Sequence, residues 1–273
     1  MVNPKFVAKI ESEEPTLRFA VLIDADNVSA AIIEGLLAEI SAFGEATVKR
    51  IYGDFTSPQS AQWKKILNKN AINPIQQFAY TTGKNSTDSK LIIDAMDLLY
   101  TRRFDGFCLV SSDSDFTGLA IRIREEGLTV VGFGEEKTPE AFRNACHKFI
   151  FTELLRPVAP KNKEAIPIQV LDTAQTRDIT TMTNPVQPTS EQPTKEIPVD
   201  FFIQALEKAC DETGWAHLGT FGSYLTKIQP DFDARIFGYK KLSDLVKDRT
   251  DIFDSEERPL SSGGKVLYIR AKK

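Results

Sequence analysis

FAVLIDADN, residues 19–27, runs five apolar side chains straight into Asp24, Asp26 and Asn27. An unbroken apolar run of this length fits a strand buried on both faces, as in a parallel sheet. The same handover recurs at FCLVSSDSDF, residues 107–116, which delivers Asp113 and Asp115. Between the two lies KNSTDSKLIIDAM, residues 84–96, with Asp88 near the start of a helical pattern. In an open α/β sheet, ligands bind beyond the carboxyl ends of the strands. Asp24, Asp26, Asp113 and Asp115 are therefore expected at one sheet edge, with Asp88 joining them from a helix start.

Strand and helix patterns alternate through the first half. Expected strands are 19–23, 47–52, 72–78, 106–110, 129–133 and 148–151. Expected helices lie over 28–43, 57–67, 88–100, 116–126 and 139–146. Such a βαβ series predicts a doubly wound, mostly parallel sheet. From Pro157 to Pro198 no aromatic residue occurs and seven of the 14 prolines are concentrated. That composition cannot bury enough surface to offset its ordering entropy, so it reads as a linker. The expected division is an α/β unit at 17–155, a linker at 156–198 and a second module at 199–273. The linker offers nothing with which to build an interface, so the two modules are expected to fold separately. In the second module, helices near 199–212, 220–228 and 241–247 precede two short strands at 252–253 and 266–269, the plan of a winged helix.

Composition narrows the chemistry. The net charge of −4 gives no global attraction for polyanions, so such binding needs local patches or a metal. Only His147 and His217 are present, which argues against a histidine-dependent nuclease or a zinc site. Cys108, Cys146 and Cys210 lack metal-type spacing and read as reduced thiols. No 18-residue apolar run and no apolar leader is seen, so a cytoplasmic chain without a membrane span is expected.

The acids have an ordinary alternative. Asp and Asn are preferred helix caps: Asn27 for a helix at Val28, Asp115 for one at Phe116, and Thr87 or Asp88 for the helix between. A cap needs one oxygen, however, and the DAD and DSD turns each present two carboxylates. Crowded carboxylates repel and raise one another's pKa, and an oxygen-only cluster suits a hard cation such as Mg²⁺ or Mn²⁺. Asp24 and Asp113 are the first candidates for ligands, followed by Asp88 and Asp115. Asp26, Asn27 and Ser112 are expected around them. Asp94 is rotated well away from Asp88 on their helix and is expected to face solvent or an arginine. Ser111, Ser112, Ser114 and Thr117 fit either turn chemistry or phosphate contacts.

LIDADN, STDSKLIIDAMDLL and LVSSDSDF together resemble the motifs of NYN domains, within the PIN-like nuclease superfamily, over residues 17–152. The resemblance implies a Rossmann-like sheet whose carboxyl edge holds Mg²⁺ or Mn²⁺ for RNA cleavage, and a metal-dependent endoribonuclease. It assigns metal binding to Asp24, Asp88, Asp113 and Asp115. One departure is Ser112, where a glycine is common. LGTFGSYL, PDFD and FGYKKLSDL, within residues 218–245, resemble the LOTUS, or OST-HTH, winged helix, which implies recruitment of RNA or a protein partner. Lys84, in the loop leading to Asp88, and Lys240 and Lys241 are the expected RNA contacts. Two rivals are a catalytically silent regulatory RNA-binding protein and a haloacid-dehalogenase-type phosphatase, whose nucleophile motif DAD resembles.

Overall fold

The computed structural model describes residues 16–56, 61–78, 86–156, 198–259 and 264–272. The expected linker core and Lys84 lie outside them. The first unit runs β1 (Arg18–Asp24), α1 (Ile33–Ile40), β2 (Glu45–Gly53), α2 (Ala61–Asn70), β3 (Asn73–Gln76), α3 (Ser86–Tyr100) and β4 (Gly106–Val110). It continues through α4 (Thr117–Glu125), β5 (Thr129–Gly134), α5 (Glu140–Ala145) and β6 (Lys148–Phe151). The strands form one six-stranded sheet in the order β3-β2-β1-β4-β5-β6. Every pairing is parallel, so the sheet is fully rather than mostly parallel.

β1 shows why its sequence is apolar throughout. Phe19, Val21 and Ile23 pack with Ile33, Leu36 and Ile40 of α1 and with Trp63 and Leu67 of α2. Ala20 and Leu22 point the other way, into a core with Leu91 and Ala95 of α3, Ala120 of α4 and Phe142 of α5. A strand covered by helices on both faces has no polar side to alternate with. The result is a three-layer sandwich.

The second unit contains α6 (Val199–Ala209), β7 (Ala216–His217), α7 (Leu218–Ile228), α8 (Leu242–Asp248), β8 (Phe253–Pro259) and β9 (Lys265–Ala271). Its antiparallel sheet runs β7-β9-β8. The helices and hairpin match the expected winged plan, with β7 as an additional short strand. Phe202 is fully buried, with edge-on partners Phe221, Phe232 and Phe237. Phe232 and Leu245 are core and Phe237 and Leu242 pack against it, as their apolar character implied.

The two units touch, which the composition of the linker gave no reason to expect. β6 is an edge strand, and unpaired edges invite association unless covered. Here the Phe149 amide donates to the Pro230 carbonyl at 2.9 Å, and Lys148 Nζ donates to the Phe232 carbonyl at 2.6 Å. Arg143 pairs with the buried Asp231, and the Arg235 guanidinium grips both oxygens of Glu39 at 2.9 and 3.0 Å. The stretch 230–235 thus covers the outer edge of the parallel sheet.

Candidate metal centre

The strand order reverses between β1 and β4, and such a switch point opens a crevice at the carboxyl edge. Asp24 is the last residue of β1, and Ser111 to Asp115 follow directly on β4. Asp88 comes from the first turn of α3. β5 backs the crevice closely. The Ser111 amide donates to the Phe133 carbonyl at 2.9 Å, and a Cβ on Gly134 would sit 2.6 Å from the Ser111 carbonyl. That contact is far inside van der Waals range, so only glycine lets β5 approach the turn.

Asp24 is completely buried. Its Oδ2 accepts hydrogen bonds from Asn27 Nδ2 at 2.7 Å and Ser111 Oγ at 2.9 Å. Its Oδ1 accepts from the Asp26 amide at 3.0 Å. Burial raises its pKa more strongly than the bonds from Asn27, Ser111 and Asp26 lower it. Asn27 is thus a partner of Asp24. The cap of the following turn is Ser29, whose Oγ accepts from the Ala31 amide.

Asp88, Asp113 and Asp115 each bring a carboxylate oxygen to within 4.8 Å of the others. Asp24 is outside that set but close enough to act on it. Asp88 is pushed up to about 6 by burial first, then by the charges of Asp24, Asp113, Asp115 and Asp26. Asp113 also caps the turn after β4, its Oδ1 accepting from the Asp115 amide at 2.9 Å. One residue therefore serves the cap and stands in the cluster, so the two readings of the sequence do not exclude each other. Three facing carboxylates with no nitrogen or sulfur donor form a set that fits a hard divalent cation. The raised Asp88 is the electrostatic cost that such a cation would offset.

The remaining candidates separate by position. Asp26 is exposed beside the cluster and contributes charge to it. Ser112 is buried and its Oγ accepts from the Glu135 amide at 2.9 Å, tying the turn to the end of β5. Ser111, whose part at Asp24 the sequence did not reveal, also holds the Asp113 amide at 3.1 Å. Thr117 Oγ1 donates to the Ser114 carbonyl, so these hydroxyls are occupied by turn chemistry. Asp94 faces away from the cluster. It accepts from Arg50 Nη1 at 2.6 Å and from the buried Tyr52 hydroxyl at 2.7 Å, the arginine partner its helix position implied. Burial acts to raise its pKa, but Tyr52 and Arg50 outweigh this and hold it low. Lys240 and Lys241 are exposed on the second unit and make no ion pair among the described residues.

A family model for the NYN domain matches residues 18–155, half of the chain. The chain belongs to the NYN family. This is a PIN-like nuclease family, and the acidic cluster of this member sits at the carboxyl edge of its NYN sheet. A second model, for the OST-HTH/LOTUS domain, matches residues 194–263. None of the curated proteins matches the chain. Among solved structures, an uncharacterized protein of Nitrosomonas europaea is 52% identical over 35% of this chain and 93% of its own, with a TM-score of 0.29. A protein of unknown function from Vibrio parahaemolyticus is 19% identical over 51% of this chain and 94% of its own, with a TM-score of 0.44. A segment of a Chromobacterium violaceum protein is 35% identical over 29% of this chain and 84% of its own, with a TM-score of 0.24. Among the described residues, no helix of this NYN protein is long and apolar enough to cross a membrane.

Proposed function

We propose that this NYN protein is a metal-dependent endoribonuclease, with Asp88, Asp113 and Asp115 holding Mg²⁺ or Mn²⁺ and Asp24 behind them. The observation that carries this reading is the convergence of the three carboxylates, within 4.8 Å, at the switch point of a nuclease-family sheet. A bound divalent ion supplies a lowered water pKa and stabilises charge on phosphoryl oxygens. Asp88 and Asp115 would complete the shell of that ion or position the attacking water beside it. Asp24 fixes the turn after β4 through Ser111, which in turn orients Asp113. The bonds from Asn27 and Ser111 favour the charged form of Asp24, while the stronger effect of its burial raises its pKa.

A haloacid-dehalogenase-type phosphatase needs Asp24 as an accessible nucleophile, whereas Asp24 is buried and both of its oxygens accept hydrogen bonds. The OST-HTH/LOTUS domain would recruit RNA to the same chain, and Lys240 and Lys241 are exposed cations of it that make no ion pair among the described residues. The test is cleavage of single- and double-stranded RNA with Mn²⁺, Mg²⁺ or EDTA. Cleavage that needs the metal and is lost in Asp113→Asn is expected. RNA binding without cleavage in any metal would make the protein a regulatory RNA-binding member instead.

A further inference from the structure

Where the two units meet, a cavity of about 230 Å³ lies between them. Lys148 of β6 lines it from the NYN side. Thr226 of α7 and Lys240 and Lys241, just before α8, line it from the other. Lys148 Nζ is held at the Phe232 carbonyl, and that bond uses only one of the three donors of an ammonium group. Asp233, the acid at the cavity, is already taken up by its neighbour. Arg235 reaches its two oxygens at 3.0, 3.1 and 2.7 Å, and its own amide adds a bond at 2.9 Å. Lys240 and Lys241 have no ion pair among the described residues, and Thr226 makes no hydrogen bond among them. Gly222, one helical turn before Thr226, keeps the floor low: a Cβ there would come within 3.2 Å of Leu242. Arg235 is shared between Asp233 and Glu39. With Lys148, Lys240 and Lys241, the cations around this small hollow still outnumber those two acids, and a free hydroxyl completes a site for one phosphate group.

We propose that this cleft holds a backbone phosphate of single-stranded RNA between Lys148 of the NYN domain and Lys240 and Lys241 of the C-terminal domain. The proposal rests on RNA being the ligand, as read above, and adds a site that neither domain possesses alone. The cleft is an exosite. Lys148 opens β6 at the level of Val21, three residues before Asp24, and β6 lies three strands from β1. At strand spacings of about 4.8 Å and rises of about 3.3 Å, the cleft and the acids are on the order of 15–20 Å apart. RNA must therefore be several nucleotides long to reach both, and the docking of the two domains becomes part of substrate binding.

The experiment measures binding of a fluorescent 20-nucleotide single-stranded RNA by the full chain in EDTA, from low to high salt. Each phosphate neutralised in a single strand contributes about 0.7 to the slope of log affinity against log salt, so the whole one-phosphate cleft accounts for about 0.7. Lys148→Met should remove part of that contribution, a loss of up to about fivefold in affinity per decade of salt. Lys148→Arg should restore it, and the pair Lys240→Gln and Lys241→Gln should likewise lower it, by no more than about 0.7. If Lys148→Met fails to fold, Thr226→Glu places a carboxylate in the cleft without touching the Lys148 bond and must weaken binding likewise. In cleavage assays, Lys148→Met should raise KM for the long RNA, leave its kcat, and leave a dinucleotide substrate unaffected. An unchanged slope in Lys148→Met, or wild-type protein that binds no RNA in EDTA, overturns the cleft. Loss of slope only with Lys240 and Lys241 overturns the sharing of the site between domains. These outcomes are separate from catalysis: binding with the expected slopes but no cleavage in Mn²⁺ sinks the nuclease reading and leaves the cleft standing.

Discussion

Replacing Asp88 by asparagine should make the metal-free protein more stable at neutral pH, while removing its response to divalent ions. Asp88 is pushed up from 3.8 to about 6 by burial and by the acids around it. Between those two pH values the folded chain binds more protons here than the unfolded chain does. Stability therefore rises as pH falls through this window, and the penalty is fully present only above about 6. The shift corresponds to about 3 kcal/mol at most. Asp88 is only half-buried, so solvent screening reduces the gain in Asp88→Asn to on the order of 1 kcal/mol. Asp88 makes no hydrogen bond among the described residues, so the neutral amide loses little else. A gain of this size raises Tm by about 2–4 °C in a chain of this length. Thermal melts in EDTA at pH 7.5 and pH 4 should show that rise at the higher pH and almost none at the lower. Added Mn²⁺ should stabilise wild type by mass action and the variant much less. A variant less stable than wild type at pH 7.5, equally shifted at both pH values, or equally stabilised by Mn²⁺ would refute the reasoning.

Asp24→Asn should have the opposite sign, destabilising the metal-free fold by about 1–3 kcal/mol, because an amide cannot accept from Asn27, Ser111 and the Asp26 amide together; chemical denaturation in EDTA gives the value. Asp231→Ala strands the part-buried Arg143 and should cost about 3 kcal/mol, seen as a lower melting temperature and faster proteolysis in the 230–235 stretch. A chain ending at residue 156 uncovers the β6 edge and should self-associate where the full protein does not; light scattering at matched concentrations decides it. Asp94→Ala leaves the Tyr52 hydroxyl buried without its acceptor, at about 1–3 kcal/mol in denaturant, and should leave metal-dependent cleavage at saturating RNA unchanged.

The alternation of apolar strands with amphipathic helices was written locally, and local period is what a sequence displays. Gly106–Val110 and Lys148–Phe151 stand where the pattern put them, and the acid-bearing turns follow β1 and β4 as their sequences implied. The helix expected from Val28 to Phe43 is shorter, Ala30–Ile32 and then Ile33–Ile40, because Asn27 turns back to Asp24 and leaves capping to Ser29. Which acids face one another was not legible. Asp24 and Asp88 are equally acidic in the sequence. One is sealed at the end of a central strand and occupied by three donors, while the other leans from a helix toward Asp113 and Asp115. That difference arises from the lateral order of strands, a non-local property that places β1 beside β4 across more than 80 residues of chain. The same holds for the seam between the domains. PDFDAR reads as part of a small helical module, and only the folded chain brings its Asp231 and Arg235 to Arg143 and Glu39. Complementary charges so far apart along the chain carry no periodic signal, so the sequence set the elements and the acids, while tertiary packing chose their neighbours.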